Sequence, residues 1–313
     1  MLKTLLPIAA LLLALPGTAA AESRPDGAEL LFRPVAPASA QNAAFSPDGK
    51  TVLFTQFPRG YNDGAAGLHT LTAGQATKLF QKGDQSAVNL PGSAWNGPAN
   101  LITFSYDETD LDEIWVMAPG GAPRQVTSHQ GPRGFTEPSF SPDGAWIVFQ
   151  ENLDQSGSGA LGSIWKVRAN GKDLTRLVDG PSGHTDNREP NWSPRGDKIV
   201  FQSRKENTDK WSLKTVTPAG AVADLTQPIG EDTDASWSPD GTRVVFSSDR
   251  AGTARSQIFV IGEGGGQATR VTNAGTWYNG APSWSPDGRW IAFESTKEPG
   301  ESATSLWRIA APR

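Results

Sequence analysis

One five-residue motif returns along the chain at nearly constant spacing, and this limits the possible folds more than any other feature. Phe45-Ser46-Pro47-Asp48-Gly49 is followed by Phe140-Ser-Pro-Asp-Gly144, Trp192-Ser-Pro-Arg-Gly196, Trp237-Ser-Pro-Asp-Gly241 and Trp284-Ser-Pro-Asp-Gly288. A degenerate copy, Trp95-Asn96-Gly97-Pro98, fills the one gap, so the aromatic positions are spaced by 50, 45, 52, 45 and 47 residues. A fixed period of this size means a stack or ring of supersecondary units. The motif itself reads as a tight turn. Ser caps it, Pro presets φ near −65°, Asp tolerates the third position and Gly takes the left-handed fourth. An apolar strand follows each turn, as in Trp146-Ile-Val-Phe149 and Arg243-Val-Val-Phe246. A third short strand follows (Ile164-Trp-Lys-Val167, Ile258-Phe-Val-Ile261), then a Gly-rich turn and a fourth (Thr175-Arg-Leu-Val178, Thr269-Arg-Val-Thr272). Four antiparallel strands in about 47 residues is the size of a propeller blade.

The fold class is therefore all-β, a six-bladed β-propeller of four-stranded antiparallel blades. The sixth unit reaches Arg313 without a fourth strand, and Glu29-Leu-Leu-Phe-Arg-Pro-Val35 resembles the missing one. It is expected to complete the last blade and close the ring, removing an exposed strand edge. Asp107–Glu113 has local helical character, but the repeat register places it in a loop. Eight Trp residues sit on first and third strands and are read as packing between blades. Trp277-Tyr278 falls in a connecting loop and reads as an exposed pair.

The first 21 residues do not belong to the repeat. A positive start, the apolar stretch Thr4–Pro16 and the Ala19-Ala20-Ala21 site read as a secretory signal peptide, with the apolar stretch too short to span a bilayer. The expected organisation is thus 1–21 signal peptide, 22–36 N-terminal segment with the closing strand, and 37–313 propeller. The expected location is the periplasm, with no membrane insertion after cleavage and a monomeric state. Zero Cys excludes disulfide scaffolds, thiolate metal sites and a cysteine nucleophile. The formal charge of −5 gives no footprint for nucleic acid.

The repeat, with its W-S-P-D-G turn, I-W/F-V strand and R-x-V/L-T strand, resembles the WD40-like PD40 repeat of TolB-like six-bladed propellers, and Ser247-Ser-Asp-Arg-Ala-Gly252 adds to the likeness. The resemblance runs from about Pro37 to Ile309. It implies a periplasmic propeller that binds partner segments at its channel. TolB also has an N-terminal α/β domain, for which only about 16 residues are available here, so the expectation is a stand-alone TolB-like propeller.

Three residues before each motif aromatic stand Asn42, Gly92, Glu137, Glu189, Asp234 and Ala281, so three consecutive blades place a carboxylate at one equivalent position. Pseudo-symmetry aims them at one axis. Asp186, Asn187, Arg188, Glu231, Asp232 and Asn279 lie just upstream. The candidate site is an acidic channel mouth built from Glu137, Glu189, Asp234, Asp186, Arg188, Asp232 and Asn279, binding a cation or a basic group of a protein or peptide partner in the cell envelope. The plainer alternative is that these acids accept hydrogen bonds from neighbouring backbone. No cofactor is expected. Were a metal held, oxygen-only ligands would favour Ca²⁺ or Mg²⁺. The repeated turn acids Asp48, Asp143, Asp240 and Asp287 read as structural.

No catalytic constellation is visible. His69 lies on a third strand and reads as core. His129 and His184 lie in loops, and there is no G-x-S-x-G elbow. The chain is expected not to be an enzyme. The alternative is a carbohydrate-active propeller, either a polysaccharide lyase or a sugar-binding module; the His-rich metal site of oligogalacturonate lyases is not supplied by three scattered His.

Overall fold

The structure is a computed structural model that describes residues 22–108, 111–128, 133–153, 161–252, 255–273, 275–298 and 302–313. The segment read as a signal peptide and His129 lie outside the described residues. After β1 (Glu29–Phe32), blade 1 comprises β2 (Ser39–Phe45), β3 (Thr51–Phe57), β4 (Gly67–Thr72) and β5 (Gln75–Phe80). Blade 2 comprises β6 (Ala87–Val88), β7 (Trp95–Asn96), β8 (Leu101–Tyr106), β9 (Glu113–Met117) and β10 (Arg124–Gln125). Blade 3 is β11 (Arg133–Phe140), β12 (Trp146–Leu153), β13 (Ser163–Arg168) and β14 (Thr175–Val178). Blade 4 is β15 (Thr185–Trp192), β16 (Ile199–Lys205), β17 (Ser212–Val216) and β18 (Val222–Asp224). Blade 5 is β19 (Thr233–Trp237), β20 (Arg243–Ser248), β21 (Gln257–Gly262) and β22 (Gly265–Arg270). Blade 6 is β23 (Tyr278–Trp284), β24 (Trp290–Thr296) and β25 (Ser305–Ala310), completed by β1. The result is six antiparallel blades around one axis, with almost no helix; Glu108 lies in a turn, and residues 109–110 of the stretch with local helical character lie outside the described residues.

The hydrophobic core is divided among the blade interfaces. Six clusters of buried side chains each bridge one neighbouring pair. Leu53 and Leu68 meet Phe104 and Trp115 between blades 1 and 2, Val148 and Ile164 meet Trp192 and Phe201 between blades 3 and 4, and Val245 and Ile258 meet Trp284 and Trp307 between blades 5 and 6. The ring closes where Val52 and Phe54 of blade 1 pack on Ala292 and Leu306 of blade 6. The inner-strand tryptophans therefore pack between blades, as their period implies.

The turns act as the motif chemistry requires. In the first, Ser46 Oγ donates to Asp48 Oδ1 (2.7 Å) and accepts from Thr51 N (3.0 Å), while Gly49 takes φ +71°. The same bonds recur at Ser141–Asp143, Ser238–Asp240 and Ser285–Asp287. The Ser hydroxyl and a backbone N–H hold the carboxylates of Asp240 and Asp287 down to about 2. These acids are committed to their own turns.

The N-terminal strand closes the ring. β1 pairs antiparallel with β25, Glu29 opposite Arg308, and the two side chains form an ion pair at 2.7 Å. Upstream of β1, Arg24 is buried in blade 6. Its guanidinium donates to Asn279 Oδ1 (2.8 Å), Ser295 Oγ (2.9 Å) and Asp26 Oδ2 (2.6 Å), and lies over the rings of Trp277, Phe293 and Trp307.

Candidate functional site

The six positions three residues before the motif aromatic share one backbone conformation. Asn42, Gly92, Glu137, Glu189, Asp234 and Ala281 all have positive φ, between 47° and 88°. In five of the six inner strands the pairing register slips at this point, for example between Thr136 and Ser139 and between Arg188 and Asn191. A left-handed residue inside a strand makes a bulge and re-aims its side chain. Here the bulge residue is an acid on three successive blades, Glu137, Glu189 and Asp234.

In three blades the residue just after the recurrent Phe of the second strand supports the bulge of the following blade. Gln150 Oε1 accepts from Glu189 N (2.8 Å), Gln202 Oε1 from Asp234 N (3.1 Å) and Glu294 Oε2 from Asn42 N (3.3 Å). Thr55, Ser105 and Ser247 occupy the equivalent positions in the other blades. Glu294 thereby adds a fourth carboxyl group to the channel. Tyr278 donates to its Oε1 (3.3 Å), and Tyr61, from the loop joining β3 and β4, stands edge-on to Tyr278 with the hydroxyls 3.4 Å apart. Trp277 and Tyr278 are thus not an exposed pair: Trp277 packs edge-on against Trp307, and Tyr278 enters the channel.

Like charges at close quarters, enclosed by protein, favour protonation. Burial, opposed by Arg188 and reinforced by Asp234, pushes Glu137 up to about 7. Burial and the Asp234 charge push Glu294 to about 8. Glu189 is raised well above the carboxylate range by burial, then by Asp234 and Glu137, and burial also raises Asp234. Asp112, behind Glu137, is raised to about 6 by burial and its acidic neighbours. Tyr61 is raised first by Glu294, and Tyr278 first by burial and then by Glu294. All four acids thus favour the protonated form more than free carboxylates do.

The plainer reading also holds in part. Glu189 Oε2 accepts from Asp234 N at 2.9 Å, so one oxygen serves the backbone of the next blade. One Glu137 oxygen is buried without a hydrogen-bond partner. Among the described residues, no group of three or more His, Asp or Glu side chains is placed to hold a metal ion.

Three of the sequence-derived candidates do not join this group of acids. Asp186, 1% exposed, takes Gly162 N and the guanidiniums of Arg188 and Arg204. Asp232, fully buried, pairs with Arg250 and accepts from Thr226 and Ser248. Asn279 is the buried seat of Arg24. Their polarity secures blade-internal loops, because a buried carboxylate must be paired. Arg188 is half-buried and faces the acids while bound to Asp186. Sequence reasoning does not single out Glu294, Tyr61, Gln150 and Gln202. For the first and last two, the signal that could have done so is a polar residue at one equivalent position of an otherwise apolar strand.

The degenerate blade explains itself at the axis. Its inner strand is broken into β6 and β7, and the intervening residues 89–94 bulge inward across the channel. Pro91 O accepts from Asn191 Nδ2 of blade 4 (2.6 Å), Ser93 Oγ donates to Trp192 O (3.2 Å), and Ser93 O accepts from Phe140 N of blade 3 (3.0 Å). A Cβ built on Gly92 would lie 2.7 Å from Asn191 Nδ2 and 2.9 Å from Ser236 Cβ of blade 5. This plug fills the axis. On its far side a cavity of about 310 Å³ is floored by Gly92 and Ser93 and rimmed by the Ser-Pro pairs of the turns. Gly92→Ala combines φ +88° with that clash and is expected to cost about 2–3 kcal/mol. Gly74→Ala, with φ +80° and open space around it, should cost about 1 kcal/mol. Urea unfolding of the two variants checks the contrast; equal losses would mean that the plug is not packed as described.

The His residues form no joint site. His69 stacks on Phe54 and bonds Gly67 O in blade 1, and burial lowers its pKa. His184 is exposed beside Glu206 in blade 4.

The fold is a ring-closed, six-bladed propeller in which acids from four successive blades influence one another. The chain belongs to the TolB β-propeller (PD40) family, whose profile matches residues 26–221 and 216–306. It is 34% identical over 107 residues to a TolB homologue of Chlorobium chlorochromatii, which is 34% of this chain but only 22% of that relative. The chain therefore spans well under two thirds of that protein. Among solved structures, a protein of Agrobacterium tumefaciens assigned as TolB superposes with a TM-score of 0.60 at 21% identity, covering 88% of this chain and 92% of that one. An oligogalacturonate lyase in complex with manganese gives 0.60 at 14% identity, covering 94% and 96%. These likenesses establish the fold alone. No helix among the described residues is long and apolar enough to cross a membrane.

Proposed function

We propose that this protein is an exported, non-catalytic binding propeller of the cell envelope, working as a monomer in the periplasm, whose channel mouth receives a cationic group of a protein or peptide partner. The observation that carries the reading is the gathering of Glu137, Glu189, Asp234 and Glu294 from four successive blades, with Tyr61 and Tyr278 beside Glu294 and the guanidinium of Arg188 beside Glu137. A guest ammonium or guanidinium entering there displaces protons and gains several acceptors at once. The Tyr rings supply an apolar wall for its methylene stem. Membership of the TolB propeller family supports partner binding in general. Arg188, held by Asp186, already supplies one positive charge beside Glu137 and limits how many more a guest can bring.

The test is cross-linking capture from the native envelope compartment, comparing wild type with a Glu137→Gln/Glu189→Gln/Asp234→Asn variant of matched melting temperature. A partner held by wild type and lost by the variant, with contact mapped to a Lys, Arg or N-terminal amine, is the expected result. A partner retained by the variant overturns the placement of the site, and absence of any specific partner overturns the binding reading.

A further inference from the structure

Blade 4 carries a second polar site of opposite sign. A pocket of about 420 Å³ opens at its loop end, where β16, β17 and β18 finish or begin. Arg204, Lys205, Lys210 and Lys214 line it against one carboxylate, Asp224. Lys214 is paired with Asp224. Among the described residues neither Lys205 nor Lys210 has a carboxylate partner, and Glu206, between them in sequence, is engaged by His184. Asp209, in the same loop, does not line the pocket. Other bases of this acidic chain are paired, as at Arg33–Glu22, Lys82–Glu108 and Arg195–Glu263.

The cationic wall is also held in place. Arg204 stacks on Trp211 at 4.8 Å and bonds the buried Asp186 at 3.2 Å. Asp186 carries one negative charge but binds two guanidiniums, those of Arg188 and Arg204, so the group keeps a net positive charge. Arg188 faces the channel; Arg204 faces the pocket. The neighbouring hydroxyls are spent internally: Ser203 on Asn187, Thr208 on Lys205 O and Thr226 on Asp232. The charged donors Arg204, Lys205 and Lys210 stand beside the neutral Thr185 and Gln227 in the lining, a set suited to an oxyanion carried on a polar molecule. A volume of this size suits a small organic molecule.

We propose that this pocket binds a small organic oxyanion of the phosphate or sulfate class, with Lys205 and Lys210 as its charged clamps and Arg204 as its fixed wall. The site is separate from the channel and does not depend on the reading of the channel. Titration of the full chain with glucose 6-phosphate, followed by Trp fluorescence and calorimetry, tests it. Saturable binding is expected, absent with glucose, weakening as salt rises and at least about tenfold weaker in Lys205→Gln/Lys210→Gln. Both lysines are exposed, so the variant should keep the wild-type melting temperature. Inorganic phosphate and sulfate run in parallel: binding as tight as the sugar phosphate identifies the free oxyanion as the ligand, and weaker binding shows that the organic carrier contributes. No saturable binding of any of the three up to about 1 mM, or equal affinity in the variant, overturns the proposal.

Discussion

Arg24→Ala is expected to lower the unfolding free energy by about 3–5 kcal/mol, the usual cost of stripping one partner from a buried ion pair. The guanidinium and the Asp26 carboxylate have side chains only 2% exposed, 2.6 Å apart. Removing the cation leaves Asp26 buried without it and withdraws the donors to Asn279 and Ser295. It also leaves a void under the rings of Trp277, Phe293 and Trp307. The strand it anchors, β1, is the cover on the edge of β25, so the loss should propagate to ring closure and promote edge-to-edge association. A drop of roughly ten degrees in melting temperature, with larger species in light scattering, is the expected reading. Asp26→Ala in the Arg24→Ala background should recover part of the loss, because the uncompensated charge goes with it. A single variant that melts like wild type would falsify the closure argument.

Glu294→Gln is expected to stabilise the protein at pH 8 and to leave it nearly unchanged at pH 5. Glu294 has its folded pKa raised to about 8, against an unfolded value of about 4.3. An acid with a raised folded pKa is neutral in both states below about pH 4. Between the two values the unfolded chain has lost the proton and the folded chain keeps it. Stability therefore falls as pH rises through that window and levels off above about 8. Glu137, raised to about 7, acts in the same direction. Asp240 and Asp287, held near 2, act only at lower pH, and their contribution is lost as pH falls. His69, with a lowered pKa, works oppositely and costs stability below about 6.5. The difference between wild type and variant cancels it. The expected gain at pH 8 is on the order of 2–4 kcal/mol, below the full linkage of about 1.4 kcal/mol for each pH interval of one between the unfolded and folded values. The substitution is geometrically mild, because Gln150 and Gln202 already accept the N–H of the next blade's bulge from the equivalent positions. A gain of the same size at pH 5 and pH 8 would assign the effect to packing instead of ionisation. Melting curves at half-unit pH steps decide it.

Blade count and turn positions are open to reading because each turn is a local device. A Ser, a Pro, an Asp and a Gly within five residues encode their own bonds, as at Ser46–Asp48–Gly49. The closing strand is legible for a related reason: a sixth unit lacking its last strand leaves β25 an open edge, and Glu29–Phe32 carries the same apolar pattern. Period also marks the six bulge positions, of which Glu137, Glu189 and Asp234 join the channel acids. It does not separate them from Asp186, Asp232 and Asn279, since neighbouring polar residues in a loop look alike until burial shows which are paired inward. Glu294 and Tyr61 are hidden because they come to the axis from other strands and loops, across blade boundaries.

The amino-acid order alone thus determined the repeat, the turn chemistry, the all-β class and the ring closed by its own N-terminal strand, all governed by interactions within a few residues or by a regular period. Only the tertiary structure decided that the weak second blade plugs the channel. Gly92 meets Asn191 and Ser236 from blades 4 and 5, and that meeting depends on where the ring brings its axis. The same is true of the charge state of the channel acids. Asp234 acts on Glu137, Glu189 and Glu294, far away in sequence, only because the closed ring brings their blades together.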